Sequence, residues 1–385
     1  MDNHQNVATN AIGFCLLPSE LIQNILLHLA LPEIIAMKVV NKSIASVFSD
    51  QHFVRQCNFR SKSATWLFLY KKRWNCDAML EGFSDQSTRW FKISIAELLK
   101  PLVSPRQNLY FLTANGNIFL FICNTYQQVV AVNLVKRTVR RIPDSPLGPR
   151  GTSSWRRSGM KLVTRFASDQ FRFLFADLVD NRPVLFEYSS ETDTWKSSEA
   201  KEILDNLQIP HVDKREDDYI FVNATNEPNE SVVVAVESEN STAPVIVRPR
   251  FNGGGSSMER LHVYGDGHMM IVRSKGVENG RELKGIELWG LNLRENGKDW
   301  EYISTVPSEI IRKINKPYGF LIGCLEKADG VIQMVLLFSY ECLRRLIWLS
   351  YDVNKKKWSW CPVPDCKMKG FNMAGIGLAH GLTLS

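Results

Sequence analysis

Few residues in this chain have the types and spacings that perform catalysis or hold a metal. Eight cysteines stand at positions 15, 57, 76, 123, 324, 342, 361 and 366, none in a Cys-x-x-Cys pair, and the seven histidines are single. A zinc site needs ligands clustered around one tetrahedron. The cysteines therefore read as buried free thiols, and neither a metal nor a cofactor is expected. No Cys, His and Tyr set has the spacing of a copper oxidase site. Gly253-Gly254-Gly255 precedes no Gly-Lys-Ser/Thr and so lacks the partners of a phosphate cradle. Trp155, Arg156, Arg157 and Lys161 would suit an acidic partner, but they read more simply as a solvated loop. The net charge of +7 is spread over many segments, with no run longer than Lys355-Lys356-Lys357, so no nucleic-acid partner is expected. What the residues do favour is apolar docking. Leu17, Pro18, Leu21, Ile25, Leu26, Leu29 and Pro32, with Glu20 among them, crowd aliphatic side chains into a short N-terminal stretch.

The elements that would position this stretch are helices. Leu21, Ile25 and Leu29 form one i, i+4, i+8 row with Ile22 and Leu26 beside it, which gives a wide apolar face on a helix of three turns. Pro18 and Pro32 each suit the start of a helix, and each is followed within two residues by Glu. A second helix is expected from Glu33 to Val40 and a third around Ile44, Val47 and Phe48. Asp50 is expected to cap a last turn carrying Phe53 and Val54. Helices this short, apolar on more than one face, need a partner to cover them.

From Ser61 onward the period changes to strands. Runs such as Trp66–Tyr70, Ile118–Ile122, Phe171–Phe175, Ser231–Val236 and Val335–Phe338 are short and rich in β-branched and aromatic residues. Asn115-Gly116, Asp266-Gly267 and Asp329-Gly330 read as tight hairpin turns between them. No strand–helix–strand alternation is present, so a parallel α/β sheet is excluded. A weak repeat organises the region: an apolar strand, a polar turn, then a strand opening on an aromatic or β-branched residue. It recurs at Val130–Asn133 to Val139, Leu185–Tyr188 to Trp195, Leu288–Asn292 to Trp300, and Leu349–Asp352 to Trp358. Trp90 before Phe91 is a fifth end, and Val245–Val247 belongs to a degenerate sixth. Units of four strands around an axis are propeller blades. Trp195, Trp300 and Trp358 are expected at equivalent, buried blade positions. The first blade lacks a strand, and Phe371 to Leu378 is a spare apolar segment suited to close the ring.

Forty-four per cent apolar residues exclude a mostly disordered chain. Met1 to Asn10 is polar and lacks the apolar core of a secretory signal. Val331 to Ser350 is cut by Glu341, Arg344 and Arg345, so it reads as no membrane span. Cytoplasm or nucleus is the expected location, with no membrane partner.

Leu17-Pro18-Ser19-Glu20-Leu21, then Ile25-Leu26, Leu29 and Leu31-Pro32, followed by Val39-Val40-Asn41-Lys42, resembles the F-box motif. Asn41 and Ile44 stand where the common ending has Cys and Trp. The remainder is similar to the kelch-type propeller that follows an F-box in many plant proteins. Tyr351-Asp352 to Trp358 is the closest match to a kelch unit, although the paired glycines are missing from most of the units. The resemblance implies a disordered N-terminus at 1–14, an all-α F-box module at 15–60, and an all-β kelch-like propeller of six blades at 61–385. It further implies a non-catalytic substrate receptor of an SCF-type (Skp–cullin–F-box) ubiquitin ligase. In that role Leu17, Pro18, Glu20, Leu21, Ile25, Leu26, Leu29 and Pro32 bind the Skp-type adaptor, which links to a cullin. The propeller then holds a protein substrate that the sequence does not identify. The alternative is an F-box propeller that binds a small molecule or sugar, or one that acts in a non-degradative complex.

Overall fold

The computed structural model describes residues 16–37, 42–62, 64–72, 78–84, 87, 89–104, 107–123, 127–149, 155, 159–164, 169–202, 219–225, 231–237, 243–247, 258–264, 268–276, 283–292, 300–314, 320–328, 330–340, 343–364 and 373–384. The expected disordered stretch 1–14, Asn41, Arg156, Arg157, Gly253–Gly255 and Asp266-Gly267 lie outside the described residues.

Helices open the chain: α1 (Ser19–Leu27), α2 (Leu31–Met37), α3 (Lys42–Val47) and α4 (Gln51–Lys62). Ile22, Leu26, Ile34, Ile44, Val47 and Phe53 are buried among them. Phe48 and Phe53 meet edge to face, with ring centroids 5.7 Å apart. Ile44, an aliphatic where the F-box motif has Trp, still fills the helical core.

The first strands in chain order are β1 (Thr65–Lys72), β2 (Ala78–Ser84), β3 (Phe91–Ser94), β4 (Leu109–Asn115), β5 (Ile118–Cys123), β6 (Gln128–Asn133), β7 (Thr138–Arg141), β8 (Met160–Thr164), β9 (Phe171–Val179), β10 (Arg182–Ser189) and β11 (Thr194–Glu199). There follow β12 (Tyr219–Thr225), β13 (Ser231–Glu237), β14 (Val245–Ile246), β15 (Met258–Tyr264), β16 (His268–Gly276), β17 (Leu283–Asn292), β18 (Glu301–Thr305), β19 (Phe320–Ala328), β20 (Val331–Tyr340), β21 (Leu343–Asp352), β22 (Lys357–Pro362) and β23 (Met373–His380). A short helix α5 (Ala96–Leu99) follows β3, and α6 (Ser308–Ile314) follows β18.

Among the described residues every strand pairing is antiparallel and, apart from β1 with β23, joins strands adjacent in the chain; the isolated bridge Lys201–Val245, outside these strands, is parallel. The first strands of successive sheets adjoin around a ring: β23 to β4, β8, β12, β15, β19 and back to β23. This is a propeller-like arrangement. Five of its sheets are four-stranded blades, and the fourth sheet, β12-β13-β14, has three strands among the described residues. The expectation of six blades is corrected to five four-stranded blades among the described residues; in the remaining sheet Val245–Ile246 pairs with β13 at Val234 and Ala235. Burial explains the apolar runs. β5 lies between neighbouring sheets and is buried at every position, whereas the outer strand β11 is exposed at most of its positions. Strands covered on both faces read as continuous apolar segments rather than alternating ones.

The chain's last described strand closes the ring. β23 pairs antiparallel with β1 from Thr65↔His380 to Lys71↔Met373 and forms the innermost strand of the first blade. The spare segment at 371–378 thus has the expected role, shifted by two residues.

The repeat tryptophans share one task. Trp195 pairs with Tyr188 and Trp358 with Tyr351, and in the second blade Val139 pairs with Val132 in the same place. Trp195, Trp300, Trp358 and Trp90 each pack toward the preceding sheet. Three of them donate the indole N–H across the gap: Trp90 to the Pro364 carbonyl at 2.8 Å, Trp195 to the Pro143 carbonyl at 3.1 Å, and Trp358 to Ser304 Oγ at 2.9 Å. Trp358 is buried as expected, but Trp195 and Trp300 are only half-buried, because an outermost strand keeps one side of a large ring in water. The residues just before three outer strands, Arg137, Asp193 and Lys356, share a left-handed backbone with φ of 55°, 57° and 51°. That common turn geometry is a second mark of the repeat.

A charged pair sits inside the first blade. Lys71 Nζ lies 2.5 Å from Glu81 Oε2, with side-chain exposures of 11% and 7%. Strand alternation puts Lys71 on the face of β1 that carries Leu67 and Leu69, which packs against Val335 and Trp348 of the last blade. Removing the lysine leaves the buried carboxylate uncompensated, so Lys71→Met is expected to cost about 3–5 kcal/mol, whereas Lys71→Met with Glu81→Leu costs far less. Urea unfolding of the single and double variants measures both. Equal losses would show that the pairing is not what the site depends on.

Candidate functional site

The apolar N-terminal stretch is split by the helix it builds. Pro18 precedes α1 with φ −52° and ψ 145°, and its carbonyl accepts the amides of Leu21 at 3.0 Å and Ile22 at 3.1 Å. A proline here loses nothing, since the first amides of a helix have no partner within it. Pro32 occupies the second position of α2 rather than the first, where the same reasoning holds. Ala30 donates its amide to Glu33 Oε2 at 2.9 Å, one half of a capping box. The other carboxylate oxygen of Glu33 pairs with Arg89, which also lies 5.2 Å over the Phe91 ring.

At 3.6 residues per turn, Ile22 and Leu26 point into the helical core while Leu21 and Ile25 point away from it. Leu21 is 49% exposed and Ile25 43%, one turn apart on the same face. Pro18 and Glu20 are exposed at the N-terminal end of this row. Leu17 and Leu29 are partly buried and pack against the core, and Pro32 is half-buried. Leu26 is the residue to correct: it is fully buried within the chain and has no surface to give a partner. Leu16, at 79% exposure, lies just before α1, ahead of the Leu-Pro pair that opens the motif, and is a further exposed apolar side chain of this stretch. Phe59 on α4 is a further large apolar side chain in solvent, and neither its spacing nor its neighbours marked it beforehand.

Such a stripe does no chemistry. Its side chains are aliphatic, and its one carboxylate, Glu20, lies in the first turn of α1, where the helix dipole favours negative charge. What it offers is a set of anchors at helical spacing that lose water when a groove covers them.

The helical core that holds the stripe is capped as the sequence suggests. Asp50 Oδ1 accepts the amides of His52 at 2.7 Å and Phe53 at 3.0 Å at the start of α4. The Phe53 amide above all, with the His52 amide, holds the Asp50 carboxyl below its ordinary range. A depressed carboxyl contributes stability above its unfolded value and loses it as pH falls through the folded one. Asp50→Asn keeps an acceptor but cannot titrate. Its melting temperature is therefore expected to fall less than the parent's between neutral and acid pH. Superimposable melting curves across that range would remove Asp50 from this role.

Residues 14–56 match the F-box domain family. No curated protein matches the chain in sequence. Among solved structures, the chain is similar to one in a nidogen/laminin complex, at 9% identity and a TM-score of 0.44, covering 83% of this chain and 99% of that one. It is also similar to TolB from Acinetobacter baumannii, at 8% identity and a TM-score of 0.42, covering 88% and 72%. A third is SapL1 lectin in complex with alpha methyl fucoside, at 8% identity and a TM-score of 0.45, covering 79% and 94%. Among the described residues, no helix is long and apolar enough to cross a membrane.

Proposed function

We propose that this chain is a substrate receptor of an SCF-type ubiquitin ligase. The observation that carries the reading is the exposed Leu21 and Ile25 face of α1, with exposed Leu16 ahead of it, within the stretch that matches the F-box domain. In this reading Leu21 and Ile25, with Leu17, Pro18, Glu20, Leu29 and Pro32 around them, seat in a groove of a Skp-type adaptor, which links to a cullin. Leu26 supports the face from behind. The helical module spans 15–60 and the propeller 61–385, of kelch type with its fourth blade reduced. The propeller holds a protein target in loops on a rigid scaffold. The chain itself is non-catalytic: it raises the local concentration of target lysines near a ubiquitin carrier held by other subunits. Such a complex works in the cytoplasm or nucleus.

The reading is tested by affinity purification of the intact chain and of a Leu21→Asp, Ile25→Asp variant. The adaptor and cullin should co-purify with the intact chain alone. Proteins that accumulate on the variant are the targets, because they bind without being degraded. Equal recovery of the adaptor with both baits would overturn the proposal.

A further inference from the structure

We infer that Gly381–Leu384 is a clasp that fixes the orientation of the helical module on the propeller and makes it depend on ring closure. A segment beyond the last strand of a domain usually frays unless something ties it down. Here it is tied on two sides. Toward the second blade, Gly116 donates its amide to the His380 carbonyl at 2.9 Å. Asn117 then pairs twice with Thr383: its Oδ1 accepts the Thr383 amide at 3.0 Å, and its Nδ2 donates to Thr383 Oγ1 at 3.0 Å. Toward the helical module, Leu384 donates its amide to Asn58 Oδ1 of α4 at 2.8 Å. Leu382 and Leu384 are both buried, in the same apolar cluster as Phe53 of α4 and Phe119 of the second blade.

The attachment points explain the consequence. The first is the chain itself, since α4 ends at Lys62 and β1 begins at Thr65. One such junction alone lets a module swivel about it. The second is the clasp, which meets α4 at Asn58, more than one turn before that junction. With the Glu33–Arg89 pair between α2 and the first blade as a third point, these contacts define the orientation, and the clasp is the one among them that hangs on β23. The clasp continues directly from β23, the strand that closes the ring, so an open ring releases the helical module as well. The inference goes beyond the adaptor reading and is measured on the purified chain alone.

The test is an energy-transfer distance distribution between noncanonical-amino-acid labels at Asn24 on α1 and Lys196 on β11, both exposed. The full chain should give one narrow distribution. Ending the chain after His380 keeps β23 paired and should retain cooperative melting while the distribution broadens. If that form fails to fold, Asn58→Ala with Leu384→Ala in the full-length chain decides by the same readout. A broad distribution in the parent chain, or a width unchanged by removing the clasp, would overturn the inference.

Discussion

Removing residues 369–385 is expected to unfold the propeller as a unit rather than fray its end. The deletion takes β23, the innermost strand of the first blade, and bares one edge of β1 along seven registered positions while β2 still pairs the other. Ile376 and Leu378 are buried against Leu67, Leu69, Val335 and Trp348, so the strand joins the first blade to the last. Burying two such side chains contributes about 3–6 kcal/mol, on the scale of the whole stability of about 5–15 kcal/mol of a typical domain. In a repeat ring each unit also depends on its neighbours, so the loss does not stay local. The milder Ile376→Ala and Leu378→Ala changes are expected to cost about 2–5 kcal/mol each. Chemical denaturation read by tryptophan fluorescence measures the effect. A truncated chain that melts at the parent temperature would mean that β23 is dispensable.

That strand was legible in the sequence because the first blade came up one strand short while an apolar segment stood unused near the other end. The Trp repeat was legible for a similar reason, since a turn followed by Trp recurs in four of the sheets, where the ring packs toward the preceding sheet. What failed was the finer placement of side chains. Periodicity gives the width of the apolar face on α1 but not which part of it the other helices cover. Leu26 was therefore grouped with Leu21 and Ile25, although it lies one position further round the helix and faces inward. Leu16 was missed because it precedes the proline that marks the helix start. Val245–Val247 was legible as a degenerate unit, and among the described residues its sheet has three strands.

The second large effect belongs to the exposed stripe. Leu21→Asp with Ile25→Asp is expected to abolish adaptor binding with the fold intact. In the proposed interface each residue acts as a central anchor of the kind whose loss costs about 2 kcal/mol or more, and together they amount to about 4 kcal/mol, a roughly thousand-fold loss of affinity. Both side chains already face water, so their replacement leaves the helical core of Ile22, Leu26 and Phe53 untouched. Surface changes of this type usually shift stability by no more than about 0.5 kcal/mol. Leu26→Asp is the contrasting variant, because it buries a charge and should unfold the module rather than merely unseat the partner.

The most direct measurement is therefore calorimetric titration of a purified Skp-type adaptor into the parent chain and the Leu21→Asp, Ile25→Asp variant, each first shown to melt at the same temperature. Measurable binding to the parent and none to the variant is the predicted result. No binding to the folded parent, or equal affinity for both, would contradict the account.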